Sequence, residues 1–114
     1  MDNAIQNKSF SFAIRIINLC KFLQKEKQDY ILYKQFLRCG TSIGANVAES
    51  QQAQSRADFI SKMNIALKEA YETNYWLRLL HETHYLPDEA FRSIITDCHE
   101  IEKLLISIIK TAKE

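Results

Sequence analysis

The stretch LRCGTSIGANVAES, residues 37–50, places both glycines of the chain inside a helical pattern instead of in loops. Gly40, Gly44 and Ala48 fall at i, i+4 and i+8, one row of minimal side chains along a helix, where a second backbone can come close. Each glycine costs roughly 1 kcal/mol of helix propensity relative to alanine, so their recurrence asks for a packing role. Beside that row runs a polar line, Arg38, Ser42, Asn46 and Glu49. A helix with a small stripe next to a polar stripe is built to meet other helices.

Working outward, the 114 residues contain only these two glycines and one proline, and no stretch alternates as a half-buried strand does. The spacing predicts an all-α chain and one domain over residues 1–114. The first helix, about 9–25, sets Phe10, Ala13, Ile17 and Cys20 beside Phe12, Ile16, Leu19 and Leu23. A polar turn over Lys25–Asp29 follows. The second, about 30–53, carries Leu32, Phe36, Cys39, Ile43 and Asn46 at alternating steps of four and three, with Asn46 as the polar exception on the seam. Ser55 and Asp58 read as a cap for a third helix, about 56–83. There Phe59, Met63, Ala66, Ala70, Thr73, Leu77 and Leu80 make a sustained seam. Pro87 suits the first turn of a fourth helix, with Asp88 and Glu89 at the positive end of its dipole. Its seam is Ile94, Cys98, Ile101, Leu105, Ile108 and Ala112.

Short links imply antiparallel neighbours and an up-down-up-down four-helix bundle. The first, third and fourth helices are apolar over more than one bundle core can bury, which predicts self-association.

The composition, 46% hydrophobic and 25% charged, is that of a globular protein, and the net charge of +1 supplies no global field toward nucleic acid or membranes. Charge is uneven, however. Residues 1–34 hold six basic against three acidic residues, and residues 83–114 hold four against six. The basic candidates for nucleic acid are Lys8, Arg15, Lys21, Lys25, Lys27 and Lys34, near Tyr30 and Tyr33. No apolar run is long enough to span a membrane and no signal peptide opens the chain, so a cytoplasmic location is expected.

Catalytic chemistry finds no foothold. Cys20, Cys39 and Cys98 are odd in number and set among apolar neighbours, which predicts buried reduced thiols. Cys98 and His99 point about 100° apart on a helix and cannot act as nucleophile and base together. The Glu-x-x-His pair of di-iron bundles is missing, and His81 and His84 have no third ligand at a telling spacing. No phosphate loop surrounds Gly40 and Gly44. The expectation is no enzyme, no metal and no cofactor. Arg38, Ser42, Asn46 and Glu49 are expected to be structural polar anchors, with Glu69 and Glu72 as counter-charges for Arg38 or acceptors for Asn46.

The stretch YKQFLRCGTSIGANVAES (residues 33–50), followed by DFISKMNIALKEAYETNYWL (residues 58–77), resembles the bacterial four-helix-bundle proteins encoded within intervening sequences of 23S ribosomal RNA genes. The matching positions are Arg38, Ser42, Ile43, Asn46, Ala48, Glu49, Ala66, Glu69 and Glu72. Cys39 departs from the usual serine. The resemblance covers nearly the whole chain and implies a bundle that assembles into a ring, a homopentamer. It also brings a relative, the accessory protein of diversity-generating retroelements, whose similar bundle forms a ring that engages a reverse transcriptase and nucleic acid. The resemblance implies fold and assembly and no settled activity; the residues add the expectation of a non-catalytic oligomeric module that binds RNA or a ribonucleoprotein partner, any RNA contact falling on the basic edge of Lys21, Lys25, Lys27 and Lys34. A purely protein-binding scaffold is the alternative.

Overall fold

The structure, a computed structural model, describes residues 4–27 and 30–114, with side chains described for 4–26 and 32–114. Four helices account for almost all of it: α1 (Ala4–Lys27), α2 (Tyr30–Ser50), α3 (Arg56–Glu82) and α4 (Asp88–Lys113). No strand occurs among the described residues. α1 packs on α2 and α4, and α3 packs on α2 and α4, so the four close a cycle around one core. The body measures 45 × 22 × 19 Å, a length set by helices of 21 to 27 residues at about 1.5 Å rise each.

The elements end where local chemistry ends them. α1 is already helical at Ala4, the first described residue and five before the start the sequence pattern suggests, and buried Ile5 and Ser9 extend the core line of Phe12, Ile16, Cys20 and Leu23 by two turns. α2 stops at Ser50, short of Ala53. Gln51, Gln52 and Ala53 then donate to Ala48, Glu49 and Ser50 in tight i→i+3 bonds, so the helix tapers into a turn. Ser55 caps α3 in extended geometry. Its Oγ accepts from the Asp58 amide at 3.0 Å, and the Asp58 carboxylate accepts from the Gln54 amide at 3.1 Å. At the other end of α3, His84 takes a left-handed φ of 66°, and the Tyr85 and Leu86 amides both return to the Leu80 carbonyl. Pro87 is the N-cap of α4, one position before the first turn, and its carbonyl accepts from Phe91.

The core corrects the expected seams in detail. On α2 the buried line is Tyr33, Phe36, Cys39, Ile43, Val47 and Ser50, whereas Leu32 and Asn46 are only half-buried on the flank. A straight helix drifts about 20° per heptad, enough to exchange neighbouring positions at both ends. On α3, Met63, Ala66, Ala70, Thr73, Leu77 and Leu80 are buried and Phe59 is half-buried near the helix start. On α4, Ile109 replaces Ile108 in the core and Glu102 joins it. Phe10, Ile14 and Ile17 stay exposed on α1.

Candidate functional site

The small row and the polar line of α2 face different neighbours. Gly40 lies under Ile16 of α1, so that a Cβ there would sit 2.8 Å from both Ile16 Cγ1 and Cγ2. Gly44 lies against the Ser9 carbonyl, with 3.2 Å available to a Cβ. Ala48 is exposed and does not join this close contact; it rims an open groove with Phe10, Ala13 and Ala45. The row therefore brings α1 close over two residues, not three.

The polar line runs along the flank toward α3. Arg38 spreads its fork over two carboxylates one turn apart: Nη1 meets Glu69 at 3.0 Å and Nη2 meets Glu72 at 2.7 Å. Its Nε donates to Gln35, and the Trp76 indole N–H donates to Glu72 at 3.2 Å. Burial works to raise the Glu72 carboxyl pKa, but the bonds from Arg38 and Trp76 outweigh it and hold the group below the usual carboxylate range. Hydrogen bonding to Glu72 in turn raises Arg38. Lower on the line, Ser42 Oγ donates to the Arg38 carbonyl at 2.6 Å and Asn46 Nδ2 to the Ser42 carbonyl at 2.9 Å. Both turn back on their own helix. Glu49 crosses again, to Lys62 at 3.0 Å. Glu69 and Glu72 are thus partners of Arg38 and not of Asn46.

Cations of the N-terminal third divide into two sets. Lys8 and Arg15 pair with Glu100 and Asp97 of α4 at 3.3 and 2.5 Å. The acids of the fourth helix are spent partly on this contact. Lys21, Lys25 and Lys34 are exposed and make no ion pair among the described residues. The Lys27 side chain and Tyr30 lie outside the described side chains.

All three cysteines are free and buried, and burial pushes Cys20 and Cys39 up to about 11 and Cys98 higher still, so none is a thiolate near neutrality. His81 stacks on Phe91 at 4.1 Å and meets Asp88 through Nε2 at 2.6 Å. That bond holds the Asp88 carboxyl below its ordinary value. No group of three metal-ligating side chains gathers among the described residues, and no described helix is long and apolar enough to cross a membrane. Sequence reasoning missed one polar cluster, Asn74, Arg78 and Glu102. Its only signal was a glutamate set between Ile101 and Leu105 of the seam.

These features define a four-helix protein in which Arg38 and Glu49 of the polar line bridge to α3 while Ser42 and Asn46 bond their own helix. Residues 1–107 match the family described as 23S rRNA-intervening sequence protein, and the chain belongs to that family. It is also similar to a solved structure from Bacteroides thetaiotaomicron, described as a protein of unknown function from the S23 ribosomal protein family. That similarity is 60% identity over 93% of this chain and 98% of that one, with a TM-score of 0.91. No curated protein matches the chain.

Proposed function

We propose that the chain is a non-catalytic RNA-docking module: an up-down-up-down antiparallel bundle that assembles into a homopentameric ring and holds RNA on the edge formed by Lys21, Lys25, Lys27 and Lys34. The sorting of cations carries this reading. Where Lys8, Arg15, Arg38 and Lys62 pair with carboxylates, Lys21, Lys25 and Lys34 are exposed and make no ion pair among the described residues, a surface suited to phosphates. Self-assembly is supported by Phe10, Ile14 and Ile17, exposed on α1 by 69%, 46% and 40%. A ring repeats a modest patch and multiplies its affinity.

The test is charge reversal of Lys21, Lys25, Lys27 and Lys34 to glutamate, with oligomer size checked first by light scattering. Affinity for a structured RNA hairpin should fall, and its salt slope should flatten by roughly one for each phosphate no longer held. Unchanged affinity and slope would leave a protein-binding scaffold as the better reading.

A further inference from the structure

Glu102 is a carboxylate only 9% exposed in the α3–α4 seam, and no cation pairs with it among the described residues. Its Oε2 accepts from Asn74 Nδ2 at 3.0 Å and lies 3.6 Å from the Cys98 thiol. Committing the Asn74 amide nitrogen to Glu102 leaves Asn74 Oδ1 for Arg78, whose Nε donates to it at 2.9 Å. That bond leaves both terminal nitrogens of Arg78 unclaimed among the described residues. The guanidinium carbon stands 5.8 Å from the centre of the Tyr75 ring. A buried acid thus positions a surface guanidinium through one intervening amide, with an aromatic face beside it.

The surroundings identify what would bind. Lys68, Tyr71, Tyr75 and Arg78 follow one another at steps of three, four and three, so they share the outward line of α3. Tyr71 and Tyr75 are 49% and 51% exposed. Glu69 and Glu72 on the adjoining flank are claimed by Arg38, and Glu82, one turn past Arg78, makes no ion pair with it. The line therefore offers two cations that make no ion pair among the described residues and two half-exposed rings, of which Tyr75 also meets the Trp76 ring edge-on at 6.1 Å. An apolar helix docking here would bury Lys68 and Arg78 without a counter-charge, whereas an RNA strand supplies phosphates for the cations and bases for the rings.

We infer that the outer face of α3 is a track for single-stranded RNA, on which Tyr71 and Tyr75 stack bases while Arg78 and Lys68 hold phosphates. Asn74 and Glu102 are positioning residues for Arg78. The inference rests on the RNA reading above and adds to it a surface whose affinity comes from stacking as well as charge.

The probe is a short, unstructured, fluorescein-labelled adenine-rich RNA, followed by anisotropy across a salt series with the intact oligomer. Tyr71→Ala with Tyr75→Ala should weaken binding on the order of tenfold or more at every salt concentration while leaving the salt slope unchanged. The matching double Phe variant should restore it, because phenyl rings still stack. Arg78→Ala should lower the slope by about one. Parent-like affinity in the double Ala variant overturns the track. If reversal of the lysine edge alone then abolishes binding, the RNA reading survives without it. Altered oligomer size with unchanged RNA affinity makes the face a contact between copies, which also overturns the track. A parent protein that binds neither this RNA nor a hairpin ends both readings. Should the double Ala variant not fold, Arg78→Ala with parent affinity and slope is the refuting result.

Discussion

Replacing Gly40 by alanine sets helix propensity against close packing, and the two have opposite signs. Alanine in a helix interior is favoured over glycine by about 1 kcal/mol, so an open site would gain that much. At Gly40 the new Cβ would stand 2.8 Å from Ile16 Cγ1 and Cγ2 and 3.0 Å from its Cδ1, about 0.6 Å inside ordinary contact. Ile16 is fully buried, and a branched side chain in a helix has essentially one χ1 rotamer, so it cannot swing aside. Overpacking of this kind costs about 1–3 kcal/mol, which leaves Gly40→Ala destabilising by about 1 kcal/mol in the parent. In an Ile16→Ala background the clash is gone, and the same change should stabilise by about 1 kcal/mol. The expected coupling is therefore about 2 kcal/mol. Urea unfolding followed by circular dichroism at 222 nm gives all four corners of the cycle, at one protein concentration because self-association would shift every midpoint. If Gly40→Ala stabilises the parent as much as the Ile16→Ala protein, the close approach of α1 and α2 is refuted.

Gly44→Leu should disrupt folding or assembly, since the Ser9 backbone leaves 3.2 Å even for a Cβ; parent-like melting and oligomer size would count against the contact. Arg38→Ala should cost about 1 kcal/mol at neutral pH, discounted because the pair is half-exposed. Glu72's folded pKa is depressed, so this stabilisation is present above the unfolded value, near 4.5, and is lost as pH falls through the folded value below it. Parent and variant stabilities should therefore converge in that acid window, and a gap independent of pH would exclude the ion pair as its source. With Cys20 and Cys39 near 11 and Cys98 higher, Ellman's reagent at pH 8 should label none of the three thiols until denaturant is added. Rapid labelling of the native protein would show that the core opens.

Legibility in the sequence followed the range of the interactions. Four helices were readable because their seams repeat along each chain segment, and the Ser55 cap because Asp58 lies only three residues away. Arg38 with Glu69 and Glu72 was readable as a match of shapes, two acids three apart on one helix and a forked cation on another. The choice between Asn46 and Val47 was not. They are neighbours on α2, and which one enters the core depends on where the facing helices sit, information that alternate steps of four and three do not contain. Asn74, Arg78 and Glu102 were invisible for the same reason, because Glu102 reaches the other two only across the α3–α4 interface. Lys8 and Arg15 looked like free cations until the packing of α4 supplied their acids.

The division of labour between small and polar residues then follows from what each can specify. A row of small residues sets distance, yet it is degenerate to slippage: moving α2 by one turn would place Gly44 under Ile16 and Ala48 at Ser9, both still small. Directional bonds lack that degeneracy, since Arg38 displaced by about 5.4 Å would lose its fit to Glu69 and Glu72. Polar contacts of this kind join α2 to α3 through Arg38, α3 to α4 through Asn74 and Glu102, and α4 to α1 through Asp97 and Glu100. The α1–α2 interface is the one built on glycine. Because the four helices close a cycle, registering three interfaces fixes the fourth, and the glycine row can be optimised for close approach alone. Two glycines in the middle of a helix are tolerable in this fold because the register they cannot specify is held from the other three sides.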